Sequence, residues 1–180
     1  AVEYFISYYD YYQPEAYLPV SDTYIEKDSS INEEIDKYRI KSASSLMSRK
    51  DVIIIASVSC IYGLGSPKEY SELILNINLG DTIFPKELFK SLVNIHYMRN
   101  DMVFSPGTFR VRGGIIDIFP VYDDNPIRIE LFGDEVDKIS QFDYLTGEIL
   151  NDKLDIATIY PSKNYVITEK SLKVGINKIK

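Results

Sequence analysis

The sequence has 180 residues, enough to bury a core in one domain or in two small ones. Its formal net charge of −7 argues against a protein that holds duplex DNA by general attraction to phosphates. No stretch approaches the roughly 20 apolar residues of a membrane-spanning helix, no secretory signal is present, and the single cysteine, Cys60, excludes an internal disulfide. These features predict a cytoplasmic globular protein.

The first part of the chain has the pattern of an α/β domain. Residues 2–6 look like a strand, and residues 13–20 contain two prolines, which are typical of a turn. Residues 22–26 could form a second strand that runs back beside the first, so a hairpin over about residues 4–26 is expected. Ser30 and Glu33 form a capping box at the start of a helix. Its apolar positions follow roughly one stripe: Ile31, Ile35, Tyr38 and Leu46. The β-branched run at 52–57 then predicts a strand buried on both faces of a parallel sheet.

The second part predicts helices followed by an antiparallel meander. Pro67 and Pro85 each suit the first position of a helix. From Thr108 the apolar period changes to two, with glycine-containing turns between the strands and one buried and one solvated face. The predicted strands are 108–112, 115–119, 127–131, 136–142 and 156–160.

Tyrosine is concentrated at the front of the chain. Seven of the 15 tyrosines fall within the first 24 residues: Tyr4, Tyr8, Tyr9, Tyr11, Tyr12, Tyr17 and Tyr24. Residues 8–12 place aromatic rings on both faces of any strand, so one sheet face cannot bury them all. Such rings stack on nucleic-acid bases, at about 1–3 kcal/mol per base, and they also suit a core edge or a protein interface. The residues alone leave both readings open.

Arginines recur in the meander. Arg110 and Arg112 share one face of their strand, and Arg128 and Glu130 share one face of another. Arginine favours protein interfaces because its planar fork binds carboxylates in a bidentate manner. A solvated sheet face carrying mixed charges is the alternative.

The sequence contains no familiar nucleotide-binding or zinc-binding motif. No G-x-x-x-x-G-K-[ST] pattern occurs, and one histidine with one cysteine cannot build a zinc site of familiar spacing. His96 is expected to pack or to lie at the surface, and Cys60 to be a small buried side chain. The acidic run at 134–137 follows Gly133, which predicts a hairpin turn rather than a magnesium motif.

Several long motifs carry a resemblance to a known family. They are YYDYYQPEAY at 8–17, ASVSCIYGLGSP at 56–67, GTFRVRG at 107–113 and FGDE at 132–135. Over about residues 1–162 the chain closely resembles the UvrB family, the helicase-like subunits that verify damage in bacterial nucleotide excision repair. The transcription-repair coupling factor shares the later module but not the tyrosine-rich motif. The chain begins directly with a strand-like run, which agrees with a piece of a longer protein.

The resemblance implies a domain plan and a set of cofactors. Residues 1–66 would be part of a helicase-type, P-loop NTPase-like parallel sheet with a DNA-contacting β-hairpin. Residues 67–162 would be an inserted α+β domain with an antiparallel sheet that binds UvrA, and residues 163–180 would return to the core. The family's ATP-binding loop would precede residue 1, and its magnesium motif would follow residue 180. ATP and magnesium are thus implied for the full-length ATPase, whereas this segment is expected to bind no cofactor and to be inactive alone.

The resemblance also implies partners and contact residues. Damaged DNA would meet the hairpin tyrosines, UvrA would meet the second domain, and UvrC would bind elsewhere in the protein. The DNA contacts would be Tyr8, Tyr9, Tyr11, Tyr12, Tyr17 and Tyr24, with Glu15 and Lys27 latching the hairpin. The UvrA contacts would be Arg99, Arg110, Arg112, Arg128 and Glu130. Tyr24 replaces a common phenylalanine and keeps the ring. A protein-interaction module without DNA binding is the alternative.

Overall fold

The computed structural model describes residues 1–7, 16–25, 33–61 and 67–163. The chain divides into two compact units, residues 1–64 and residues 65–180. Several sequence predictions fall outside the described residues. They concern Tyr8, Tyr9, Tyr11, Tyr12, Glu15, Lys27, the helix cap at Ser30 and the return segment beyond residue 163.

The first unit contains four described strands and one described α-helix. They are β1 (Val2–Phe5), β2 (Ala16–Leu18), β3 (Thr23–Ile25), α1 (Glu33–Ser48) and β4 (Ile53–Ala56), followed by a 3-10 turn at Val58–Ile61. Strand β1 pairs with β4 in parallel, and β2 pairs with β3 in antiparallel orientation. This part of the chain is therefore of the α/β class, but two parallel strands do not by themselves make a helicase-type sheet.

The predicted hairpin needs a correction at its start. Residues 2–5 do not belong to it, since Val2 lies opposite Ile53 in the parallel pair. The hairpin that the structure describes spans residues 16–25, with Ala16 opposite Ile25. A strand-like run of five residues has the same pattern in a hairpin or in a parallel pair, so only the distant partner strand decides between the two.

The burial expected for this unit is also partly wrong. Strand β4 is open rather than buried on both faces, since Ile53 and Ile55 are 64% and 51% exposed. Leu46, assigned to the buried stripe of α1, is 56% exposed, whereas Ile40 is fully buried. Cys60 is buried as predicted, and its thiol donates to the carbonyl oxygen of Phe5 over 3.1 Å.

Polar side chains hold α1 against β1. The guanidinium of Arg39 donates to the carbonyl oxygen of Ile6 over 2.7 Å and lies 4.2 Å from the ring centroid of Phe5. Ser42, also fully buried, donates to the carbonyl oxygen of Tyr4 over 2.8 Å. These bonds explain why the apolar stripe on α1 was a poor guide to its buried face.

The described part of the second unit contains two helices and two sheets. Its elements are α2 (Pro67–Glu72), β5 (Leu75–Asn78), α3 (Pro85–Asn94), β6 (Met98–Arg99), β7 (Thr108–Arg112), β8 (Ile115–Phe119), β9 (Ile127–Phe132), β10 (Glu135–Phe142), β11 (Ile149–Asn151) and β12 (Ile156–Ile159). The larger sheet has the order β11-β10-β9-β8-β7-β6, and β5 pairs separately with β12. Only β6 and β7 run parallel in the larger sheet.

The predicted meander and both proline-initiated helices are confirmed. Strands β7 to β10 follow one another in antiparallel pairs, and Gly133 supplies the left-handed conformation of the β9–β10 turn with φ +64°. The acidic run at 134–137 thus belongs to a turn and the start of β10, as predicted. His96 is exposed and also left-handed, at φ +69°. A bulge at Asp137 allows Val136 and Ile139 both to be buried.

One face of the larger sheet belongs to the hydrophobic core. Leu88 and Leu92 of α3 form one cluster with Ile116, Ile118 and Ile129, all at most 3% exposed. Burial of this face follows from the period-two pattern. The opposite face was expected to be solvated, but it too contains buried groups, and these define the candidate site.

Candidate protein-docking surface

Three neighbouring strands place charged residues in one row across the second face of the sheet. Arg110 on β7 lies opposite Asp117 on β8, which in turn lies opposite Arg128 on β9. The Nε atom of Arg110 donates to Oδ2 of Asp117 over 2.9 Å, and the Nε atom of Arg128 donates to Oδ1 over 2.7 Å. The Asp117 side chain is 2% exposed. A single buried carboxylate therefore holds two arginines.

Aromatic rings cover both arginines. The guanidinium carbon of Arg110 lies 4.2 Å from the ring centroid of Phe104, and that of Arg128 lies 4.5 Å from the ring centroid of Phe142. The two rings are themselves stacked, with centroids 6.4 Å apart. Cation–π contact and the shared carboxylate leave the arginine side chains only 18% and 25% exposed. The prediction of a solvated face is wrong for these two residues, because each has desolvated partners.

The row has an excess of positive charge. Two guanidinium groups face one carboxylate, which leaves one formal positive charge in a partly buried setting. The hydrogen bond to Asp117 raises the pKa of Arg128 above its ordinary value, and the charge on Glu130 acts in the same direction. Glu130 is partly buried and lies opposite Lys138 on β10. Arg128 consequently stays charged at any physiological pH.

A second, exposed group lies at the β6 edge of the sheet. The Nε atom of Arg99 donates to Oδ2 of Asp101 over 3.0 Å, and its guanidinium lies 5.6 Å from the ring centroid of Phe89. The other oxygen of Asp101 accepts the backbone N–H of Val111 over 2.9 Å. Arg112, at the end of β7, is exposed and close enough for its charge to act on Asp101.

Two hydrogen bonds and a nearby positive charge stabilise the ionised form of Asp101. The backbone N–H of Val111 lowers the pKa of this carboxyl most, followed by the hydrogen bond from Arg99 and by the charge on Arg112. One hydrogen-bonded arginine and the charge of a second therefore favour the ionised form of Asp101. The side chain of Arg99 is 48% exposed, so about half of it faces solvent.

Four of the five predicted UvrA-contact residues thus fall into two groups, and the fifth, Glu130, is partly buried on β9 opposite Lys138. Arg99 and Arg112 are exposed at the sheet edge, and Arg110 and Arg128 are engaged with a buried carboxylate. Sequence reasoning missed the residues that organise both groups: Asp101, Phe104, Asp117 and Phe142. One signal was readable for Asp117, since a lone acid inside the apolar run of β8 needs a cationic partner.

The hairpin of the first unit is described only in part. The Cα atoms of Tyr17 and Tyr24 lie directly opposite each other across β2 and β3. At its turn Val20 is fully exposed and Leu18 is 49% exposed. The remaining tyrosines that the sequence assigns to DNA lie outside the described residues.

The described residues contain no group of three or more His, Cys, Asp or Glu side chains able to hold a metal ion. Within the same ranges, every helix is too short or too polar to cross a membrane.

Comparison with known proteins identifies the family of the domain that carries both arginine groups. Residues 75–165, half of the chain, match the family model described as the UvrB interaction domain. This range contains the whole larger sheet and both arginine groups. The chain therefore belongs to the UvrB family.

Relatives extend the similarity over the complete chain. UvrABC system protein B of Natranaerobius thermophilus is 56% identical over 180 residues, covering 99% of this chain and 27% of the relative. The protein of the same name from Halalkalibacterium halodurans is 58% identical over 174 residues, covering 96% of this chain and 26% of the relative. That from Leptospira biflexa is 54% identical and covers the whole chain. The chain spans about a quarter of the length of these curated relatives.

Proposed function

We propose that residues 67–162 bind UvrA in bacterial nucleotide excision repair, through Arg99 and Arg112 at the β6–β7 edge of the sheet and through Arg110, Arg128 and Glu130 on its second face. One observation carries this proposal: the interaction-domain family model covers the same residues that form the arginine-bearing sheet. The name of the relatives, UvrABC system protein B, makes UvrA the natural candidate partner.

The chemistry of the surface supports a protein partner with acidic side chains. Arginine and aromatic residues are enriched where proteins associate, and here they lie in contact with one another. Arg99 and Arg112 are exposed at the sheet edge, where their guanidinium groups can attract carboxylates of a partner. Arg110 and Arg128 are held in fixed positions by Asp117, so little side-chain entropy is lost when a partner binds them.

A binding titration tests this proposal. Charge reversal at both exposed positions, Arg99→Glu with Arg112→Glu, should weaken binding of the chain to UvrA at least tenfold. Lys153→Glu is the matched control, because Lys153 is also exposed but lies away from the β6–β7 edge in sequence and in strand order. Equal affinity of the double variant and the wild-type chain would refute the assignment of this surface.

We further propose that the hairpin contacts DNA at the lesion. The exposed apolar turn at Leu18 and Val20 supports this role, since such side chains can insert between bases. The proposed stacking residues are Tyr8, Tyr9, Tyr11, Tyr12, Tyr17 and Tyr24, with Glu15 and Lys27 as the latch. Stacking on rings does not need a basic surface, which agrees with the net charge of −7.

Conservative and disruptive variants at two tyrosines test the DNA role. In a full-length UvrB protein carrying this segment, Tyr11→Ala with Tyr12→Ala should abolish damage-specific loading onto DNA. Tyr11→Phe with Tyr12→Phe keeps both rings and should preserve most of it. Normal loading by the alanine variant would show that Tyr11 and Tyr12 do not make the proposed contacts with DNA.

The ATPase part of the family's activity is proposed only for the full-length protein. The parallel pair of β1 and β4 would join the helicase-like sheet there, and the exposed side chains of Ile53 and Ile55 would be covered. ATP, magnesium and UvrC would bind to parts of the full-length protein outside residues 1–180. The full-length protein would act in the cytoplasm. ATP hydrolysis by this chain alone would contradict that division.

A further inference from the structure

We propose that residues 100–105, here called the 100–105 loop, form a preformed apolar contact of the docking surface, with Met102 and Val103 entering an apolar socket on an acidic protein. This inference rests on the proposed function and extends it. It names a second kind of contact beside the arginines and a feature that the partner must have.

Two consecutive apolar side chains of this loop are open to solvent. Met102 is 93% exposed and Val103 is 63% exposed, and Met98 at the neighbouring strand is 69% exposed. Single exposed apolar residues are common, but two consecutive ones in a hydrogen-bonded loop beside charged groups are typical of an interaction surface. Met suits such a contact because its unbranched, polarizable side chain adapts to the shape of a socket.

Hydrogen bonds fix the backbone of the loop. The side-chain oxygen of Asn100 accepts the backbone N–H groups of Met102 and Val103, over 3.1 and 2.9 Å. Asp101 ties the loop to β7 through the N–H of Val111. The loop therefore presents its apolar side chains from a rigid support rather than from a mobile one.

The far end of the loop is held as well. The hydroxyl of Thr108 donates to the carbonyl oxygen of Ser105 over 2.7 Å and accepts the N–H of Ser105 over 3.1 Å. The ring of Phe104 packs against that of Phe119, with centroids 5.3 Å apart. Phe104 points inward while its two predecessors stay exposed, so the exposure of Met102 and Val103 is not a sign of an unfolded segment.

The surrounding charges select the partner. Asp101 accepts a hydrogen bond from Arg99, and the charge on Arg112 acts on the same carboxylate, so the loop has two exposed arginines nearby. An acidic protein surface with an apolar depression satisfies both features at once. A nucleic acid would satisfy the arginines but would bring its phosphates close to the Asp101 carboxylate.

A second turn of the same chain provides the matched control. Leu145 is 77% exposed and lies in a turn of the same construction, where Asp143 accepts the backbone N–H groups of Leu145 and Thr146. Leu145 lacks arginine neighbours in sequence. A Leu145 variant therefore shows the effect of losing an exposed apolar side chain elsewhere, for comparison with the loss of Met102 and Val103.

Titration of the chain with UvrA, and separately with fluorescent single-stranded DNA, tests the inference. Met102→Ser with Val103→Ser should weaken UvrA binding about tenfold, mainly through faster dissociation, without lowering the melting temperature. Leu145→Ser should change neither quantity.

The outcomes separate the inference from the proposed function. Unchanged UvrA affinity of the serine variant, with loss of binding in Arg99→Glu with Arg112→Glu, overturns the loop's role and leaves the docking function intact. Failure of the wild-type chain to bind UvrA overturns both. Weakened DNA binding with unchanged UvrA binding would assign the loop to nucleic acid and also overturn the inference.

Discussion

The carboxylate of Asp117 and the guanidinium of Arg128 meet at 2.7 Å across two neighbouring strands, and the carboxylate is almost completely buried. Arg110 binds the same carboxylate from the strand on the other side. A buried acid with two cationic partners is stable only as a unit, because removing one member leaves uncompensated charge in a desolvated place. The stability of the sheet and the geometry of its proposed docking face therefore depend on the same three residues.

Replacing Asp117 should destabilise the second unit strongly. Asp117→Asn keeps the shape but leaves two partly buried arginines facing each other, and we expect a loss of about 3 kcal/mol in the free energy of unfolding. Urea denaturation measures this loss. Asp137→Asn is the control, since Asp137 is exposed at the bulge of β10. A loss below about 0.5 kcal/mol would show that the buried pair contributes little.

The two arginine groups should respond differently to truncation. Arg110→Ala and Arg128→Ala remove partners of a buried carboxylate and should lower the melting temperature. Arg99→Ala and Arg112→Ala should leave it nearly unchanged, because exposed ion pairs contribute only about 0–1 kcal/mol. Thermal unfolding followed by circular dichroism distinguishes the groups. Equal shifts of the melting temperature in all four variants would contradict the division of the arginines into a buried and an exposed group.

The anchor of the 100–105 loop should weaken in acid. The pKa of Asp101 is lower in the folded chain than its ordinary value of 3.8, so its stabilising contribution is complete above that value. It is lost as the pH falls through the lower, folded value. The carboxyl carbon resonance of Asp101 should therefore titrate with a midpoint below 3.8, and Arg99→Ala should raise that midpoint. A midpoint at or above 3.8 would exclude the contacts described.

Gly114 should not tolerate a side chain. A Cβ atom at this position would lie 2.8 Å from the carbonyl oxygen of Leu131, whose own N–H donates to the Gly114 carbonyl over 2.8 Å. Gly114→Ala should cost about 1–3 kcal/mol, because the two strands must separate. Gly133→Asn, in open space and in a conformation that asparagine adopts, should cost less. Equal unfolding midpoints for the two variants would contradict this reasoning.

Much of the second unit was predictable from local pattern. The alternation at 108–112 and 127–131, together with Gly113 and Gly133, determines the meander because strand and turn chemistry agree there. Pro67 and Pro85 mark both helix starts. Strand β5 was missed because its partner β12 is about 80 residues away, and β6 was missed because two residues carry no periodicity.

The candidate site was predictable only in outline. The pattern placed Arg110 and Arg128 on the correct face, but not in contact with Asp117, since the register of three strands is a tertiary property. In the first unit the apolar run at 52–57 was correctly assigned to a parallel strand. Its burial was not, because that depends on neighbours that a local pattern does not identify.

Hydrogen–deuterium exchange of the chain, with and without UvrA, tests the central claim most directly. The docking surface proposed here predicts slowed exchange in β6, in the 100–105 loop and in β7, with little change at Leu145 and its turn. Slowed exchange confined to residues 1–61, or an unchanged β6–β7 edge in a complex that forms, would contradict it.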